Sequence, residues 1–348
     1  MTPDEVNDLI SEGFKCVQAG EHQAALEIYN KILAVYPNHG LAHYFAGQVL
    51  LANGQFEEGW TQCEWRPIDD MPPSIVRWRG ESVPENCDDP VLLVAGEQGV
   101  GDIIHFARYV PMLLPYFSKI VLGTLPDMGR LMATVPGVSK VVERGGALPR
   151  VTHYVPILSL PYIFKTTRET IPANIPYVGA DPEKVEYWRQ RLSWVDGPKV
   201  GLVWAGNPGF VGDQRRSPGF DPYRALFEVD GITFFSLQKG DGAKALEGQP
   251  MPNTLFDLGP DLHTYDDTAA VMMNMDLVIS SCTSPAHLAG ALGRPVWIVL
   301  SSFPDWRWFR DGDTTPWYPT ARLFRQQRDE PWSKVLERVA LSLAQARR

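Results

Sequence analysis

Two stretches of this chain carry residue types and spacings that could do chemistry. The first is Gly96-Glu97-Gln98-Gly99-Val100-Gly101-Asp102, a glycine-rich loop with a carboxylate at its end. Gly99 and Gly101 let a ligand approach the backbone, and Asp102 is either a helix cap or a general base. The second is Ser280-Ser281-Cys282-Thr283-Ser284, small residues followed by Pro285 and His287. Pro285 suits a first helical position, with Ser284 as its N-cap. Hydroxyls and free N–H groups at a helix N-terminus attract an anion and match a phosphate or diphosphate. The plain alternative is an ordinary strand–helix unit with a well-capped helix.

Positive charge to accompany such a phosphate is expected from two further loops. Ala205 to Pro218 carries Asn207, Asp213, Arg215, Arg216 and Ser217, and Gln238-Lys239-Gly240 follows an apolar run. With 280–285 these would lie at the carboxyl ends of parallel strands, where open α/β sheets bind ligands. Arg215 and Arg216 could equally be solvated surface charges. Cys282 at a helix start could be an activated thiol, but a neutral packing role ranks higher. Asp311-Gly312-Asp313 has a metal-motif spacing but sits in a polar loop and reads as a turn, so no metal site is expected.

The elements that must position these residues follow from the apolar patterning. Residues 1–66 are helical, with Gly13 and Gly47, Gly20 and Gly54, and Ala25 and Gly59 each 34 residues apart. Trp60 and Cys63 stand where the first repeat has Leu26 and Tyr29. Two such repeats bury too little surface to stand alone and should dock on the rest of the chain or on a partner. Residues 67–89, with four prolines, read as a connector anchored by Trp78. Residues 91–95 form a strand, and an apolar helix begins at Asp102 and runs to Tyr116. A helix over 181–194 bridges to a second unit: a strand at 199–204, a helix near 223–227, a strand at 233–237, a short strand at 255–258 and a helix at 263–275. A strand at 277–279, the helix 286–292, a strand at 295–300, a last strand at 322–324 and a helix from Trp332 complete it.

Composition narrows the function classes. Lys and Arg total 32 against 41 Asp and Glu, a net charge of −9 that argues against a nucleic-acid partner. No apolar run approaches a membrane span, and no leader-like segment follows Met1. Cys16, Cys63, Cys87 and Cys282 are scattered and read as reduced thiols, so a cytoplasmic location is expected.

The combination GEQGVGDIIHFARYVP, VGLVWAGNP with a later RRS, FFSLQKG, DLVISSCTSPAHLAGALGRPVW, DWRW and TPWYP resembles tetratricopeptide-repeat glycosyltransferases. Their catalytic region is similar to the heptosyltransferases of glycosyltransferase family 9. The resemblance implies an α/β chain of GT-B type: helical hairpins over 1–66, an acceptor-side Rossmann-like domain over 67–180 and a nucleotide-sugar domain over 181–348. It further implies an inverting enzyme without metal or cofactor, with a nucleotide sugar as substrate and a protein as one candidate acceptor held by the hairpins. Asp102 stands at the family's base, Arg215 or Arg216 near a phosphate-binding lysine, and Gln238 near a donor-binding glutamate. Cys282 replaces an aspartate and His287 matches the family's histidine. The donor set implied is Gly99, Gly101, Asn207, Arg215, Arg216, Gln238, Lys239, Ser281, Cys282, Thr283, Ser284 and His287. The rival reading is a non-catalytic scaffold with a degenerate transferase domain, favoured by Cys282. An oxidoreductase is disfavoured, because the glycine order G-x-x-G-x-G departs from the dinucleotide fingerprint and no acidic residue closes the next strand.

Overall fold

The computed structural model describes residues 1–69, 71–83, 87 and 89–346, so parts of the 67–89 connector and the last two residues lie outside the described residues. Four helices come first: α1 (Pro3–Gln18), α2 (His22–Val35), α3 (Gly40–Ala52) and α4 (Phe56–Cys63). They make two hairpins, and the 34-residue spacing has a physical basis. A side chain on Gly13 would strike the Tyr29 ring at 2.5 Å, and one on Gly47 would strike the Cys63 Sγ at 2.7 Å. Each hairpin therefore crosses at a glycine in the same relative position. Gly20 and Gly54 both turn the chain with left-handed φ values, +73° and +81°.

The second hairpin is welded to the α/β part of the chain. Leu51, Phe56, Trp60 and Cys63 belong to the same apolar cluster as the sheet residues. Trp60 donates to the Thr166 carbonyl at 2.9 Å and meets Trp306 edge-on at 5.2 Å. Arg66, buried at the end of this hairpin, donates to Glu97 through Nε at 2.9 Å and Nη2 at 2.8 Å. An excised 1–66 fragment is therefore expected to lack a cooperative melt. A fragment that unfolded sharply near the transition of the whole chain would show that these helices carry their own core.

The first sheet is wholly parallel. It contains β1 (Val76–Arg77), β2 (Val91–Ala95), β3 (Lys119–Thr124), β4 (Val138–Glu143) and β5 (His153–Pro156), in the order β1-β5-β2-β3-β4. Strand β1 lies inside the stretch expected to be only a connector; Trp78 beside it is buried and donates to the Glu81 carbonyl. Around this sheet run α5 (Val100–Phe106), α6 (Gly129–Met132) and α7 (Leu160–Ile163). The expected helix to Tyr116 is cut short. It tightens to a 3₁₀ segment over Ala107–Leu113, because Pro111 lacks the N–H that a further α-helical turn needs.

Helix α8 (Pro182–Arg191), capped by Asp181, leads to the second sheet. Its strands are β6 (Lys199–Val203), β7 (Thr233–Ser236), β8 (Leu255–Asp257), β9 (Leu277–Ser281), β10 (Val296–Leu300) and β11 (Ala321–Arg325). Their order is β11-β10-β9-β6-β7-β8, again parallel throughout. Helices α9 (Asp213–Arg216), α10 (Tyr265–Met272), α11 (Ser284–Ala291) and α12 (Trp332–Ala346) pack around it. The expected helix near 223–227 is 3₁₀ over Asp221–Glu228. Strand β9 extends through Ser280 and Ser281, all five residues buried, so the hydroxyl run begins inside the sheet.

Strand order decides where the loops converge. In the first sheet the chain leaves β2 toward β3 and β4, and returns to the other side of β2 with β5. In the second it leaves β6 toward β7 and β8, and returns with β9. Such reversals open a crevice at the carboxyl ends of the strands. The two crevices face each other where α5 packs on α11. A side chain on Gly101 would meet His287 Cδ2 at 3.1 Å and the Ser284 Cα at 3.6 Å. Gly290 lies against the Tyr318 ring, with no room for a Cβ between them. The small face of α11 therefore admits a helix and a tyrosine.

Candidate active site

The loops after β2, β6, β7 and β9 line one cleft of about 1540 Å³. Of the thirteen residues singled out from the sequence, twelve face it: Gly99, Gly101, Asp102, Asn207, Arg215, Arg216, Gln238, Lys239, Cys282, Thr283, Ser284 and His287. Ser281 does not. It ends β9 fully buried, its hydroxyl without a partner.

Asp102 stands in the first turn of α5, where its Oδ2 accepts from the Gly99 N–H at 3.0 Å. Its other oxygen accepts from Arg307 Nη2 at 2.5 Å. Arg307 was missed from the sequence. It is buried, forks onto both oxygens of Asp305 at 2.9 and 3.0 Å through Nη1, and lies over the Trp306 ring at 4.5 Å. Burial raises the Asp102 carboxyl pKa above its usual value, against the pull of Arg307 and the Gly99 N–H. A carboxyl held that way is a better proton acceptor than a solvated aspartate once it is ionised.

The N-terminus of α11 lines the same cleft. Its N-cap is Thr283, one residue before the expected Ser284, and no side chain caps the helix. Ser284 Oγ instead pairs with Tyr265 OH at 3.3 Å. Arg216 is tied to Asp213 by its Nε at 2.9 Å, and its Nη2 lies 2.9 Å from a Cβ built on Gly206. Thr283 Cγ2 is 2.8 Å from that same point, so the Arg216 guanidinium sits beside the start of α11. Arg215 is exposed at the mouth. Lys239 donates to the Gly259 carbonyl at 3.0 Å, and Asn207 accepts from the Gly209 N–H at 2.9 Å.

Two residues have firmer structural work than their sequence positions suggested. Gln238 Oε1 accepts from the Trp204 and Ala205 N–H groups, both at 2.9 Å, and its Nε2 donates to the Ala205 and Lys239 carbonyls. Both amide ends are engaged with backbone, so this side chain splices the loops after β6 and β7. Cys282 accepts from Trp308 Nε1 at 2.9 Å, and burial pushes its thiol up to about 11. It is a neutral packing group at physiological pH.

The sequence also scattered its histidines too widely to group them. The Tyr318 hydroxyl contacts His105 Nδ1 at 3.0 Å and His287 Nδ1 at 2.9 Å, between α5 and α11. Burial holds both imidazoles well below their usual pKa, with Arg108 and Arg307 adding to the effect. At most one imidazole can accept the single phenolic proton. Asp311-Gly312-Asp313 forms a turn against β11, with Gly312 at φ +79° and Arg325 on two of its carbonyls. Among the described residues, no three His, Cys, Asp or Glu side chains converge as metal ligands.

No family model matches the chain. The chain is 27% identical to Protein FlbA of Caulobacter vibrioides over 387 residues, covering 99% of this chain but only 62% of that protein's length. Two solved structures share its fold. E. coli ADP-heptose lps heptosyltransferase II aligns with 74% of this chain and 99% of its own, at TM-score 0.50 and 13% identity. A glycosyl transferase family 9 protein from Veillonella parvula DSM 2008 covers 74% of this chain and 97% of its own, at TM-score 0.54 and 11% identity. At such identities the likeness is one of fold: two facing parallel α/β sheets of GT-B type.

Proposed function

We propose that the chain is an inverting glycosyltransferase that needs no metal and moves a sugar from a nucleotide sugar to a hydroxyl acceptor. The observation carrying this reading is that a burial-tuned carboxylate, Asp102, lines the same cleft as an uncapped helix N-terminus flanked by Arg216. Asp102 takes the acceptor hydroxyl proton. The oxygen then attacks the anomeric carbon from one face while the bond to the phosphate breaks on the other. The leaving diphosphate is received by the α11 N-terminus, with Arg216, Arg215 and Lys239 supplying charge. Asn207, Thr283, Ser284 and His287 complete the donor side, and Gln238 and Gly101 shape it.

In this reading residues 67–180 form the acceptor-side domain and 181–348 the donor-side domain, in a cytoplasmic enzyme. The helices of 1–66 act as a tetratricopeptide-like arm that presents a protein acceptor. Their support is that Phe14, Tyr44 and Phe45 line the same cleft as Asp102. One observation favours the second reading, a scaffold with a decayed transferase fold: the neutral Cys282 thiol stands where the resembled family has a carboxylate.

Nucleotide binding separates the two. A nucleoside diphosphate at about 100 times its Kd is expected to add about 2.7 kcal/mol of stability. The double substitution Thr283→Val and Ser284→Leu should weaken that binding by about tenfold or more while α11 still forms. Unchanged affinity would remove the proposed phosphate site. No stabilisation by any nucleoside mono- or diphosphate would leave the scaffold.

A further inference from the structure

Gln98, at φ +56°, and Phe309, at φ +58°, hold left-handed backbone in the segments that carry Asp102 and Arg307. Such conformations are uncommon outside glycine, and persist where the surroundings enforce them. Gln98 is in the loop that carries Asp102. Phe309 follows the turn that carries Arg307, the partner of Asp102. Each is met by the helical segment. Gln98 Nε2 donates to Tyr44 OH of α3 at 2.7 Å. Phe309 is buried and faces Phe56 of α4 with ring centroids 6.1 Å apart. Glu97, next to Gln98, is forked by Arg66 and also accepts from the Leu158 N–H at 3.1 Å. The helices thus pin two successive residues of the Asp102 loop, and brace the turn that supplies its counter-charge.

We propose that Tyr44 is a positioning residue for Asp102, so that the helical segment is part of the transfer machinery as well as an arm for acceptors. The inference rests on Asp102 being the base. A glycine-rich loop left to itself samples many conformations. Tyr44 selects the one in which the Gly99 N–H and Arg307 both reach the carboxylate.

Tyr44→Phe removes only the oxygen that Gln98 donates to. In the full-length protein this variant is expected to lose about fivefold in kcat, the worth of one hydrogen bond, with donor KM unchanged. Amide exchange over residues 96–103, read by mass spectrometry, should quicken by a similar factor while α11 is unaffected. In a Gln98→Gly background the same substitution should change neither quantity, because the contact is already gone. Parent kcat and parent exchange in Tyr44→Phe would overturn the proposal, as would a further fall in the Gln98→Gly background. The exchange measurement needs no donor. A parent protein that transfers no sugar would therefore sink the glycosyltransferase reading alone, and the exchange rates would still decide the clamp.

Discussion

An Asp102→Asn variant is expected to bind a nucleoside diphosphate as the parent does and to transfer sugar about 10²–10⁴-fold more slowly. Asparagine keeps one acceptor oxygen at this third helical position, which retains the contact to the Gly99 N–H. Arg307 keeps both oxygens of Asp305, so it is not stranded. What is lost, on the proposed function, is the proton acceptor. In the parent, burial raises the Asp102 pKa, so the acid limb of kcat/KM should lie above the ordinary aspartate value of about 4, with activity rising as pH rises through it. The stability effect has the opposite sense. An acid whose folded pKa is raised contributes stability below its unfolded pKa and loses it as pH rises through the folded one. Relative to Asp102→Asn, the parent should therefore lose stability across that window. Parent-rate turnover in Asp102→Asn would return Asp102 to the status of a cap.

The second large effect is expected at Arg307. Its guanidinium is the counter-charge for Asp102 and Asp305 at once, and is buried against the Trp306 and Phe106 rings. Arg307→Met keeps much of the volume but leaves two carboxylates facing each other with no cation. Asp305 is exposed and open to water, so the loss falls mainly on Asp102 and should be about 1–3 kcal/mol. The loss should appear in urea denaturation at pH 7 and shrink as pH falls, because the Asp102 carboxyl, already raised by burial, protonates first. Arg307→Lys should recover part of it, because one ammonium cannot reproduce a fork shared by two carboxylates. A Met variant as stable as the parent at pH 7 would mean that solvent, not Arg307, satisfies these acids.

Much of the molecule was legible because its signals are local. The runs Val91–Ala95, Lys199–Val203 and Val296–Leu300 are short and apolar, and each became a buried parallel strand. The 34-residue glycine spacing marked two helix crossings, because only glycine leaves room for Tyr29 and Cys63 there. Strand reversal at β2 and β6 then carried the expected loops to one cleft, so Asp102, Arg216 and the start of α11 met as the patterning implied.

Other features belong to the tertiary structure alone. Arg307 lies 205 residues from Asp102, in an aromatic turn with no period to mark its partner. The junction of His105, Tyr318 and His287 likewise spans 213 residues. Gln238 looked like a ligand contact and proved to be a splice, because only packing shows that both ends of its amide meet backbone. Helix boundaries moved where a single residue outweighed a pattern, as Pro111 did after α5. Residue type and spacing determined which elements form and which loops share an edge. Which charge answers which, and which helix holds the Asp102 loop in place, was decided by contacts between segments far apart in the chain.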